Sequence, residues 1–81
     1  MVGGVVPLVA QGAPVVRAVP VGDSLSVEIG RGIPPFTVSV RGLSQTKRSR
    51  TFAFMGVGPG PHVVRAVDGS GLLSELEVVV P

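Results

Sequence analysis

The sequence lacks cysteine, tryptophan and tyrosine, and it has a single histidine, His62. Without cysteine the chain can form no disulfide, no thiolate nucleophile and no cysteine-ligated metal site. One histidine and five scattered carboxylates do not suggest a zinc site, so we expect neither a metal nor a cofactor. The missing tryptophan and tyrosine remove the side chains that most often stack on nucleic-acid bases.

Charge is also scarce. Only 15% of the 81 residues are Asp, Glu, Lys or Arg, against roughly 25% in an ordinary globular domain, whereas 44% are hydrophobic. Disordered chains combine high charge with low hydrophobicity, so this composition argues against disorder. A chain of this length forms one small domain, which cannot bury all of so much apolar surface by itself.

The first sixteen residues carry no charge, and glycine and proline interrupt them too often for a helix. They have neither a basic start nor an unbroken apolar run, so we expect no signal peptide and no membrane span. We predict an extended arm over residues 1–16, followed by a domain over residues 17–81. The alternative is that this segment is the first strand of the domain's own sheet. The arm residues predicted to bind a partner are Val2, Val5, Val6, Leu8 and Val9.

Beyond the arm, apolar and polar residues alternate with a period of two, which is typical of half-buried strands. In the first clear example, Leu25, Val27 and Ile29 alternate with serine and glutamate. The same pattern predicts further strands over 36–40, 51–54, 62–67 and 73–80. Short strands separated by glycine- and proline-rich turns predict an all-β fold, an antiparallel β-sandwich, and leave no segment for a helix.

Two segments between these strands are predicted to be irregular. The polar stretch from Gly42 to Ser49 predicts a loop, and the three glycines and two prolines of residues 56–61 predict a tight connection. A phosphate-binding glycine loop is excluded for residues 56–61, because a strand rather than a helix follows them. A third segment, Asp68 to Gly71, predicts a turn in which the aspartate caps its own backbone.

A basic loop is predicted over Ser44 to Arg50. It contains Lys47, Arg48 and Arg50 and no acid. Such a loop could contact nucleic-acid phosphate or an acidic protein surface, and the alternative is a solvated hairpin tip that keeps the protein soluble. Because no aromatic residue is interleaved with the cations, sequence-specific reading is disfavoured and we do not expect nucleic acid as a partner.

Strand alternation also places apolar residues on the outward side of the last two strands. The predicted outward set is Val63, Arg65, Val67 and Val79. Arg65 can pair across the strands with Glu75 or Glu77. An exposed apolar patch with charge at its rim favours a protein interface, and scattered surface valines without a role are the alternative.

No arrangement of residues supports catalysis. His62 would need a nucleophile and an orienting acid, and Ser70 and Asp68 follow it too closely in sequence to suggest an assembled triad. We therefore expect a protein that is not an enzyme.

Three segments in a fixed order carry a resemblance to a known family. Residues 32–40 read Gly-Ile-Pro-Pro-Phe-Thr-Val-Ser-Val, residues 58–71 read Gly-Pro-Gly-Pro-His-Val-Val-Arg-Ala-Val-Asp-Gly-Ser-Gly, and a valine-rich strand ends the chain. In this order they resemble the short immunoglobulin-like repeats of bacterial surface adhesins and PKD-type domains. The likeness covers roughly residues 15–81.

The resemblance implies an immunoglobulin-like antiparallel β-sandwich of about seven short strands, with His62 in an inward aromatic position. Free-standing domains of this kind without an export signal look more like accessory proteins of phage and virus particles. That implies a non-enzymatic subunit, made in the cytoplasm, which decorates or cements a virion or other assembly by binding its protein subunits. The alternative is a cell-surface, adhesin-like module that binds a glycan or a host surface.

Overall fold

The computed structural model describes residues 14–81, and these form strands and no helix. The seven strands are β1 (Val16–Val21), β2 (Ser24–Ile29), β3 (Phe36–Val40), β4 (Leu43–Lys47), β5 (Thr51–Phe54), β6 (Gly60–Val67) and β7 (Leu73–Val80). They make two antiparallel sheets, with the strand orders β1-β2-β5 and β4-β3-β6-β7. The prediction of an all-β fold with about seven short strands is confirmed. The predicted arm residues Val2, Val5, Val6, Leu8 and Val9 lie outside the described residues.

The core lies between the two sheets and is built by strand alternation. In β2 every second residue, beginning with Leu25, is buried, and the residues between them are exposed. β5 contributes Phe52 and Phe54, while β3 contributes Phe36. Burying one such aliphatic or aromatic side chain contributes about 1.5–3 kcal/mol, so these inward rows hold the sheets together. All three phenylalanines are thereby removed from the surface.

The prediction of a loop from Gly42 to Ser49 is wrong for residues 43–47, which form strand β4. Arg41 and Gly42 have φ values of 50° and 77°, and they form a two-residue turn that pairs Val40 with Leu43. A two-residue hairpin turn with positive φ at both positions matches the twist of the strands it joins. β4 ends its sheet and most of it is exposed, so it needs few apolar residues and the sequence pattern did not reveal it.

The strand β6 begins at Gly60, two residues earlier than the predicted start at His62. Pro61 therefore lies within a strand, although its ring nitrogen has no hydrogen to donate. It is tolerated there because β3 pairs with β6 only from Val64 onward, so Pro61 faces one neighbouring strand, β7. Only residues 56–59 of the predicted irregular segment remain outside strands.

The strand connections fall into two groups. Successive antiparallel strands reverse direction, so the connections over residues 30–35, 48–50 and 68–72 share one end of the sandwich, which we call the loop end. Backbone bonds tie this end together: Ile29 N donates to Arg50 O at 2.8 Å, and Gly69 N donates to Ile33 O at 2.5 Å. The opposite end carries the connections over residues 22–23, 41–42 and 55–59.

The first described residues belong to the domain. Pro14 is buried and its carbonyl accepts a hydrogen bond from the Ser74 hydroxyl. The carbonyl of Val15 accepts a bond of 2.6 Å from Gly30 N, and Val16 pairs with Ile29 at the start of β1. Of the last residues of the predicted arm, Val16 therefore lies in a strand of the domain's own sheet, and Pro14 and Val15 lead into that strand.

Candidate functional site

The outer face of the four-stranded sheet collects the outward residues of β6 and β7. Val67 lies opposite Leu73, Arg65 opposite Glu75, and Val63 opposite Glu77. Val79 lies in the next outward position of β7, opposite Pro61. We call the outward set Val63, Val67, Leu73 and Val79 the apolar face.

The apolar face is open to solvent. The exposed fractions are 47% for Val63, 51% for Leu73 and 66% for Val79, while Val67 is half-buried. Arg65 crosses its middle and pairs with Glu75, with Nε 2.6 Å from Oε2. The predicted cross-strand ion pair is confirmed for Glu75. Leu73 is the one member of the apolar face that was not predicted to point outward. Its alternation with Ser74 and Glu75 could have indicated this.

A second set of exposed apolar side chains lies on the outer face of the three-stranded sheet. Val19 and Val21 project outward from β1, between inward residues, and both are exposed. Their nearest cross-strand partners are Ser26 and Ser24, which are small and polar. The sequence showed the alternation that begins at Val15, but these valines were not assigned to an outward face. They provide a comparison surface with similar side chains and a different neighbourhood.

The predicted basic loop is divided between a strand and a connection. Lys47 is the last residue of β4, and its ammonium lies 4.7 Å from the centre of the Phe52 ring. Arg48 lies in the three-residue connection from β4 to β5, which passes from one sheet to the other. It is therefore not the tip of a hairpin within one sheet, as the solvated-tip alternative assumed.

Arg50 is held in place by two contacts. Its guanidinium carbon lies 5.0 Å from the centre of the Phe36 ring, and Nη2 donates a bond of 3.1 Å to Gly32 O. Gly32 is the residue after Arg31, so the connection between β4 and β5 meets the connection between β2 and β3 here. The exposed cations Arg31, Lys47, Arg48 and Arg50 thus gather at the loop end, and we call them the basic cluster.

The carboxylate of the loop end is turned inward. Asp68 is only 5% exposed, and its side chain accepts bonds from Ser70 N, Ser70 Oγ, Leu72 N and Ile33 N. The hydrogen bond from the Ser70 hydroxyl, with the backbone donors, holds the pKa of Asp68 below its ordinary value, although burial opposes this. The predicted capping turn is confirmed, and its carboxylate is occupied by its own loops.

Of the residues considered for catalysis, Ser70 and Asp68 are hydrogen-bonded to each other, but His62 lies away from both. His62 and Asp68 lie six positions apart on or just after β6, which corresponds to about 20 Å along a strand. His62 is half-buried with its Nε2 2.9 Å from Gly58 O, near the end opposite to Asp68. Within residues 14–81, no three side chains of His, Asp or Glu cluster in a way that could hold a metal ion.

No residue from 14 to 81 belongs to a helix with the length and hydrophobicity that a membrane crossing requires. Comparisons of the chain with protein-family models, with curated proteins and with solved structures find no match.

Proposed function

We propose that the chain is a non-enzymatic binding module, an immunoglobulin-like sandwich that decorates or cements a larger assembly such as a phage or virus particle. The strand order supports the immunoglobulin-like part of this proposal. β1, β2 and β5 occupy the places of strands A, B and E, while β3, β6 and β7 occupy those of C, F and G. The difference is β4, which pairs with β3 rather than joining the other sheet.

The apolar face is the observation that carries the binding role. Three of its four side chains are about half exposed or more, and they share one side of two paired, eight-residue strands. Burying a valine or leucine side chain contributes about 1.5–3 kcal/mol, so covering this face would stabilise a complex. The other side of β7 has no hydrogen-bonded strand, but β1 of the three-stranded sheet lies beside it, so the face of β6 and β7 rather than the edge of β7 is the surface open to a partner.

The occupant that fits this face is a protein subunit with an apolar surface of its own. The Arg65–Glu75 pair neutralises the centre of the face, leaving Glu77 beside Val63 as the nearby unbalanced charge. Arginine is enriched in protein interfaces, and the charge of Arg65 is compensated by Glu75, so the apolar side chains on either side of this pair remain the main contact area. The proposed location is therefore the virion or another assembly.

Charge placed on the apolar face tests the proposal. Full-length protein would be produced in its native host, and particle-sized material would be separated from free protein by sedimentation. We expect the chain in the particle fraction at fixed stoichiometry, and Val63→Lys with Val79→Lys should move it to the free fraction. The matched control, Val19→Lys with Val21→Lys, should stay with the particles. A wild-type chain found only as free monomer, or equal loss for both pairs, would contradict the proposal.

The predicted arm needs its own test, and the structure sets where the deletion should end. Removing residues 1–13 leaves Pro14 and Val15, whose carbonyls bond to Ser74 and Gly30, so the domain keeps its first strand. We expect this shortened chain to unfold like the full chain and to be lost from the particle fraction. If the folded, shortened chain enters the particles normally, the prediction that the arm binds a partner is wrong. The residues concerned are Val2, Val5, Val6, Leu8 and Val9.

The second candidate function is an adhesin-like module that binds a glycan or a host surface. The connections at the loop end favour it, because together they are longer than those at the opposite end and binding loops of such sandwiches cluster at one end. Detection of the native protein on the cell surface, together with binding to an array of glycans, would favour this function over the particle subunit. Particle association without glycan binding would exclude it.

A further inference from the structure

The basic cluster is a second surface, and it shares no residue with the apolar face. Its members come from two connections and one strand end: Arg31 before β3, Lys47 at the end of β4, and Arg48 and Arg50 before β5. Contact between Arg50 and Gly32 joins the two connections. All four side chains are exposed. Asp68, the carboxylate within the loop-end connections, is turned into its own hydrogen-bonded loop. Glu28, whose partner position Thr51 follows Arg50, lies 4.0 Å from Arg17.

We propose that the basic cluster binds the phosphate backbone of a nucleic-acid duplex without reading its sequence. Three of the four cations are arginines, whose planar guanidinium groups bind phosphate oxygens through two parallel hydrogen bonds. Arg50 is already held by Phe36 and Gly32, so less side-chain freedom is lost when a phosphate binds. This function does not depend on the apolar face and goes beyond the proposed subunit role.

The neighbourhood of the cluster favours a duplex over other polyanions. All three phenylalanines are buried, so the surface offers no aromatic ring on which a single-stranded base could stack. The sequence argued against nucleic acid on this ground, but phosphate binding requires no stacking. An acidic protein segment would need apolar anchors as well, and the two connections that carry the arginines offer one strongly exposed large hydrophobic residue, Ile33. Leu73, the other one at this end, follows the third connection and belongs to the apolar face. A ligand bound by charge alone must have dense charge, and duplex DNA carries one charge per about 1.7 Å.

The test is the salt dependence of binding to a labelled DNA duplex of arbitrary sequence, measured with the full chain by fluorescence anisotropy. Four phosphate contacts predict a slope of log K against log salt of about −3 to −4, or roughly 100-fold weaker binding at 200 mM than at 50 mM salt. Each of Arg31→Gln, Lys47→Gln and Arg48→Gln should reduce the slope by about one. The control Arg65→Gln removes the same charge from the sheet face and should leave the slope unchanged.

Circular dichroism of each variant separates lost binding from lost folding, and Arg50 is left intact because it packs against Phe36. DNA duplexes of different sequence should bind with affinities within about twofold of each other, as expected for backbone contacts. No binding by the wild type at 50 mM salt would overturn the proposal. So would an equal loss in Arg65→Gln, or tighter binding of a sulfated polysaccharide or an acidic polypeptide than of the duplex.

Discussion

Val57 offers the sharpest test of the packing described above. It lies in the glycine-rich connection between β5 and β6, yet none of its surface is exposed. Its N–H donates a bond of 2.9 Å to Asp23 O, and its carbonyl accepts one from the Arg41 guanidinium. These two backbone hydrogen bonds hold the side chain in the core. Val57→Ala removes two side-chain carbons and leaves both hydrogen bonds in place.

The expected cost follows from burial. Two carbons at about 0.8 kcal/mol each contribute about 1.6 kcal/mol of transfer free energy. The cavity left behind raises the total loss in the free energy of unfolding to about 2–3 kcal/mol, because a well-packed site collapses only in part. For a domain of this size each kcal/mol corresponds to about 4–8 °C, so thermal unfolding should occur roughly 10–20 °C lower.

The assay is thermal and urea unfolding followed by circular dichroism, with Val79→Ala as the matched control. That substitution removes the same two carbons from a side chain that is 66% exposed, and it should cost less than about 0.5 kcal/mol. If both variants lose equal stability, or if Val57→Ala unfolds like the wild type, then Val57 does not anchor residues 55–59 to the core.

Three further predictions concern the loop end and the sheet face. Gly69→Ala should lower the free energy of unfolding by about 1–3 kcal/mol in urea titrations, because its Cβ would lie 2.5 Å from Pro34 O. The lowered pKa of Asp68 means that its charged form stabilises the fold above about pH 3.9, and this contribution is lost as pH falls through the native pKa. Asp68→Asn should therefore be less stable than the wild type at pH 7, with a gap that narrows in acid unfolding. A double-mutant cycle on Arg65 and Glu75 should give a coupling of about 0.2–1 kcal/mol that shrinks in high salt, since both side chains are largely exposed.

The feature that the sequence predicted best is which strand residues point inward and which point outward, because alternation determines it. The row through Leu25, Val27 and Ile29 is buried as expected, and the same pattern placed Val63 and Arg65 outward. Period-two alternation is visible because one face of each strand touches the core and the other touches water. The turn at Asp68 was equally predictable, since aspartate before glycine has a local reason to bond its own backbone.

Features set by long-range contacts were not predictable. Val57 stands between two glycines, and nothing nearby in the sequence shows that its partners Asp23 and Arg41 lie beside it. Strand β4 has little alternation because its side chains are mostly exposed, and it is stabilised mainly by pairing with β3. In both cases the information lies in the three-dimensional packing.

Because strand β4 was not predicted from the sequence, the basic cluster was not predicted either. Without β4, the chain from the end of β3 would have to return along the whole sandwich as a loop, and Arg48 could lie anywhere on that path. With β4 present, the connections alternate between the two ends, so those after β2 and β4 must share the loop end. Arg31 and Arg48, seventeen positions apart in sequence, lie at the same end of the sandwich for this reason. If they contact one charged ligand together, the loss caused by Arg31→Gln should depend on whether Arg48 is present, whereas two independent surface charges would act additively.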